Sequence, residues 1–284
     1  MEQRSTAEGR TSTMEHPRTT GRAIALARTA HGGPALAVTA VAALLAVTAD
    51  VPAGRTVLVV AAVLTGQLSI GWSNDLIDVR RDRAVHRIDK PLVTGELPES
   101  LVRLSCALAL GATVVLSLAC GPTAGLVQLL CVAGGWAYNL GLKSTVWSWL
   151  PYAVAFGALP VFVALAGDGG FPALWVPVAG ALLGVGAHLV NALPDLDDDL
   201  ATGVRGLPHR IGARWTGPLA TAVLVAASVL ICVAAPLTGH AATWAGLLVV
   251  VALAVVAVTG RGRTPFRAAM GIALVDVALL AGSR

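Results

Sequence analysis

Residues 56–82 read TVLVVAAVLTGQLSIGWSNDLIDVRRD. From Thr56 to Asn74 no side chain carries a charge, and a run of that length suffices for an α-helix to cross a hydrocarbon core about 30 Å thick. The run then ends in Asn74, Asp75, Asp78 and Asp82, spaced so that they share one helix face. Three carboxylates on one face at a membrane boundary repel each other and resist losing water. Two readings follow. The bland one is a solvated helix end whose acids are balanced by Arg80, Arg81 and Arg83; the chemical one is a site for a hard divalent cation, which removes the repulsion by binding carboxylate oxygens.

Outward from this stretch the same apolar pattern recurs. The 284 residues are 56% hydrophobic and 13% charged, where a soluble domain carries about a quarter charged residues. Nine spans are expected, near 34–50, 56–79, 101–119, 122–141, 146–166, 172–194, 214–235, 242–259 and 265–282. Residues 1–20, rich in Thr, Arg and Glu, read as a disordered cytoplasmic tail. Residues 21–32 alternate basic and apolar groups and suit an interfacial helix, so 21–284 forms one transmembrane domain. Cys106, Cys120, Cys131 and Cys232 fall in or beside apolar runs, with neither disulfide nor zinc spacing.

Charge fixes the orientation. With the N-terminus in the cytoplasm, 18 of the 20 Lys and Arg residues face inward: those of 1–32 and of 80–103, Lys143, and those of 205–214 and 261–267. Only Arg55 and Arg284 fall outside, as the positive-inside rule requires. An even number of spans would spoil this partition.

The sixth expected span also ends in acid: Asn191-Ala192-Leu193-Pro194-Asp195-Leu196-Asp197-Asp198-Asp199. Asn191, Asp195 and Asp199 recur every four residues, again on one face. Two acidic clusters, each closing a span on the same side, make a bipartite metal site. The chain has only two lysines, Lys90 and Lys143, against 18 arginines. Lys143 follows the fourth span at the rim of an apolar interior, whereas Lys90 is expected in a polar loop where water competes for its charge. Asp276, in the middle of the ninth span, either serves function or is hydrogen-bonded between helices. His188, one turn before Asn191, is expected to make a polar contact between helices.

These stretches resemble the UbiA superfamily of intramembrane prenyltransferases, in its bacterial, actinobacterial-like branch. The first family motif is similar to Asn74, Asp75, Asp78 and Asp82. A downstream element looks like Arg87-Ile88-Asp89-Lys90-Pro91-Leu92, a Tyr…Lys element looks like Tyr138 to Lys143, and the second motif matches Asn191, Asp195 and Asp199 with Arg205 beyond it. Asn191 departs from the family, standing where an Asp is usual. The resemblance spans 22–282 and implies an all-α fold of nine transmembrane helices around a central cavity open to the cytoplasm of a bacterial plasma membrane. It further implies Mg²⁺ held by Asp75, Asp78, Asp82, Asp195, Asp198 and Asp199, with Asn74 and Asn191 completing the diphosphate site. Lys143, Arg87 and Arg205 are implied as phosphate contacts, beside Tyr138. The implied reaction moves an isoprenyl group from its diphosphate to a small aromatic acceptor. Membrane lipid is the implied surrounding, with no nucleic acid and no obligate protein partner. A terpene cyclase on the same scaffold is the nearest alternative, and a cation transporter a more distant one.

Overall fold

A computed structural model describes residues 19–201, 203–234, 240–261 and 264–281. The tail expected at 1–20 thus lies almost wholly outside the described residues, as do the side chains of Asp195, Asp197 and Asp198. Among the described residues the regular elements are all helices. They run α1 (Thr19–Thr29), α2 (Gly32–Thr48), α3 (Ala53–Ala84), α4 (Pro91–Thr94), α5 (Glu99–Ala119), α6 (Pro122–Leu140), α7 (Leu150–Gly167), α8 (Trp175–Ala192), α9 (Leu196–Ala201), α10 (Leu207–Ile211), α11 (Ala213–Ala234), α12 (His240–Thr259) and α13 (Thr264–Ala281).

Five helices among the described residues, α3, α5, α7, α8 and α11, are long and apolar enough to cross a membrane. The bent pair α1–α2, turned by 71° between its halves, makes a sixth if it counts as one span. The protein is therefore an all-helical integral membrane protein. α6 has 19 residues, but its interior face carries buried Gln128 and Asn139, which lower its apolarity. Asn139 bonds α3 beside the first acidic motif.

Sequence chemistry sets the breaks. Pro52, Pro98 and Gly121 precede helices, and Pro122 occupies a first-turn position where its missing N–H costs nothing. His31, at the break between α1 and α2, has φ 53°, a left-handed conformation uncommon outside glycine. The α1–α2 bend follows from that residue.

Helices neighbouring in sequence pack side by side. One core joins Val41, Ala42, Val59, Val63, Phe162 and Val163 of α2, α3 and α7. A second joins Leu189, Leu224, Val250 and Ile272 of α8, α11, α12 and α13. A third ties α1, α3 and α5 to the loop around Leu92 and Leu97, which follows the acidic end of α3. In lipid there is no hydrophobic drive between helices, so close packing and interhelical hydrogen bonds hold them. Val57, Leu104, Val115, Leu126 and Leu248 remain exposed on the outer faces, as lipid-facing side chains should be.

Candidate functional site

The last turns of α3 carry the first acidic cluster inward. Asp75, Asp78 and Asp82 are 3%, 5% and 3% exposed, which corrects the solvated helix end. The cause is the chain that follows: residues 85–98, with the short α4, fold back over this face and bury it. Buried carboxylates need partners, and each has a lysine. Lys143 Nζ lies 2.6 Å from both oxygens of Asp78. Lys90 Nζ lies 2.9 Å from Asp75 Oδ1 and 2.8 Å from Asp82 Oδ2.

Lys90 is thus not the water-facing lysine that the sequence suggests, since its side chain is 12% exposed. Burial works against its charge, yet the pull of Asp75 and Asp82 outweighs that and holds its pKa above the ordinary lysine value. For Lys143 the balance falls the other way: burial outweighs the attraction of Asp78 and lowers its pKa.

The two acidic motifs meet through Arg81. Its Nη2 lies 3.1 Å from Asp78 Oδ2 and 3.9 Å from Asp199 Oδ1. His209 Nε2 stands 3.4 Å from the other Asp199 oxygen. Asn74 donates from Nδ2 to Asn139 Oδ1 at 3.1 Å, and Asn139 donates to Ser73 Oγ and to the Ile70 carbonyl. That knot fixes α6 against α3. It places Tyr138 beside the cluster, edge-on to Tyr152 at 5.4 Å and to His188 at 5.8 Å between ring centroids. Asn191 Nδ2 reaches Tyr152 Oη at 3.4 Å.

The structure therefore brings Asn74, Asp75, Asp78, Asp82, Tyr138, Lys143 and Asp199 together. Arg87 turns onto Asp89, 2.9 and 3.0 Å away, and holds that carboxyl below its usual range. Arg205 is exposed. Sequence reasoning missed His31, whose Nε2 is 3.0 Å from Asp75 Oδ1. It reaches there because Gly71 lets the chain at Ala30 lie against α3; a Cβ on Gly71 would stand 2.1 Å from the Ala30 carbonyl oxygen. Periodicity gives no signal for a contact 44 residues apart.

Among the described residues no three His, Cys, Asp or Glu side chains converge on one metal position. The donor set nonetheless fits a hard cation: all the acids are oxygen donors on facing helix ends. Asp82 Oδ2 is buried, with Lys90 Nζ 2.8 Å away.

In this all-helical membrane protein the two acidic motifs meet through Arg81, and comparison with known proteins gives the family. The family model for UbiA prenyltransferases matches residues 35–270. The bacteriochlorophyll synthase 33 kDa chain of Cereibacter sphaeroides is 31% identical over 239 residues, covering 77% of each chain. Digeranylgeranylglyceryl phosphate synthase of Methanopyrus kandleri is 28% identical over 186 residues, 64% of this chain and 66% of that one. The apo structure of a UbiA homologue from Aeropyrum pernix K1 superposes with a TM-score of 0.71 at 19% identity, covering 87% of this chain and 96% of that one. A UbiA homologue from Archaeoglobus fulgidus, bound to GPP and Mg²⁺, gives 0.69 at 16% identity, covering 92% and 100%. At such identities these two structures speak for the fold. The chain belongs to the UbiA prenyltransferase family.

Proposed function

We propose that this enzyme transfers an isoprenyl group from a prenyl diphosphate to a small aromatic acceptor, with Mg²⁺, at a site facing the cytoplasm among nine spans. The observation that carries the reading is Arg81 standing between Asp78 and Asp199, which joins the two acidic motifs into one site. The Archaeoglobus relative bound to GPP and Mg²⁺ shares the fold and supports the choice of substrate and metal. Asp75, Asp78, Asp82 and Asp199, with Asp195 and Asp198 of the second motif, would hold the metal. When bound, Mg²⁺ supplies the charge neutralisation that makes diphosphate a good leaving group.

The chain's own residues do the rest. Lys143 and Arg81 already sit at carboxylate distance and would turn their donors to phosphate oxygens as the acids take up metal. Arg87 and Arg205, in the flanking loops, supply further cationic reach. Tyr138 and Tyr152 give the allylic cation left by the departing diphosphate an aromatic wall whose faces favour positive charge. The apolar interior below them keeps water from that cation.

The test is incubation of purified protein with Mg²⁺, labelled diphosphates of several lengths and an acceptor panel, read by mass spectrometry. Prenylated acceptor is expected, and excess chelator should abolish it. A cyclised hydrocarbon formed without acceptor would favour the cyclase, and full activity in chelator would remove the metal.

A further inference from the structure

Lys143 stands on a 3₁₀ turn, Leu142–Ser144, between α6 and α7. Such short turns are weakly held by their own hydrogen bonds, and a lysine has four rotatable bonds beyond its Cα. Something else must fix the turn if the ammonium is to meet Asp78 reproducibly. Ser148, fully buried five residues on, is gripped from two sides. Its Oγ accepts the Leu207 backbone N–H at 2.9 Å and lies 3.0 Å from His188 Nε2. Gly206, beside Leu207, lies flat on the same turn. A Cβ there would stand 2.5 Å from the Lys143 carbonyl oxygen and 2.9 Å from Ser148 Oγ.

We infer that Ser148, His188 and Gly206 form a latch that positions Lys143 on the leaving diphosphate. The inference rests on the role proposed above for Lys143. The latch links three elements of the site: the lysine turn, α8 one helical turn before Asn191, and the loop that returns from the second acidic motif. None of its members touches the carboxylates in the contacts described; Ser148 and Gly206 bear on Lys143 through its turn. His188 also packs against the rings of Tyr152 and Tyr138, with centroids 5.0 and 5.8 Å apart. The latch means that the loop after the second motif must be seated before Lys143 is aimed.

A double-mutant cycle on the full-length protein tests this. Ser148→Ala and Gly206→Ala should each lower kcat about 10-fold or more, since a displacement on the order of 1 Å can cost far more. KM for the diphosphate should change less. His188→Gln, which keeps a nitrogen near the Nε2 position, should retain more turnover than His188→Leu. In a Lys143→Ala background Ser148→Ala should cost nothing further. A second full loss in that background would mean general damage and would overturn the latch, as would normal kcat in Ser148→Ala. If Ser148→Ala does not fold, the same cycle with His188→Gln and His188→Leu, each checked by thermal melting, decides. Full turnover by Lys143→Ala alone would instead remove the role of Lys143.

Discussion

Lys143 and Asp78 form a buried, two-pronged ion pair, the ammonium 2.6 Å from each carboxylate oxygen. A charge contact gains strength where solvent is excluded, so this lysine is placed to respond when charge develops on a leaving group. Lys143→Ala should lose about 10²-fold in turnover, the scale of removing a transition-state electrostatic donor. Lys143→Arg should restore only part, because a planar guanidinium aims its donors differently. Steady-state kinetics at saturating acceptor measures both. Turnover unchanged in Lys143→Ala would reduce the residue to an anchor.

Lys90 should behave differently from what a loop lysine suggests. It neutralises Asp75 and Asp82 together, so Lys90→Ala leaves two buried acids short of a partner. Breaking such a pair costs about 3 kcal/mol or more. The variant should melt lower than the parent in chelator and gain more than the parent from added Mg²⁺, which substitutes for the missing cation. Identical metal-dependent shifts in both proteins would show that Lys90 and metal do not share the acids.

How far the sequence reaches is clear from these residues. Apolar run lengths and the three- and four-residue spacing of the acids are local quantities, so the helical membrane fold and the first motif were legible. Pairings were not. Nothing local connects Lys90 to Asp75, His31 to Asp75, or Ser148 to Leu207, because each depends on how loops fold over helix ends. The solvated helix end failed for that reason: spacing shows which face the acids share, and only the returning chain at 85–98 shows that the face is covered. The expected nine spans exceed the five that pass on length and apolarity, in part because helices such as α6 give apolarity up to polar side chains that face inward.

The charge partition leads us to propose a cytoplasmic N-terminus and cytoplasmic motif loops, and one contact agrees with the first two sharing a side. Arg28 of α1 donates to the Asp89 carbonyl at 2.9 Å and pairs with Glu96 at 3.4 Å, which puts the helix after the tail and the loop after the first motif on one side. Cysteines placed at Glu96 and Ala201 should resist an impermeant thiol reagent in intact cells and react once the membrane is opened. Labelling from outside would move the site to the other face.

Asp276 gives the last prediction. It is 0% exposed in α13, and its only described hydrogen bond is from Ser228 Oγ of α11, 3.4 Å from Oδ2. Ser228 also bonds the Leu224 carbonyl in its own helix. Its described contact thus joins α13 to α11, and none of the described contacts joins it to the carboxylates of α3, so we expect it to serve packing between these helices rather than the reaction. Asp276→Asn keeps the shape and a carbonyl to accept from Ser228, so it should change melting temperature little and retain turnover. Asp276→Leu removes the hydrogen bond and repacks the pair, costing about 1 kcal/mol if it fits. Thermal melting in detergent and turnover of the two variants separate the readings. A loss of about 10²-fold in kcat for Asp276→Asn with melting unchanged would make the carboxyl a participant in the reaction, because a structural contact of this size alters stability first.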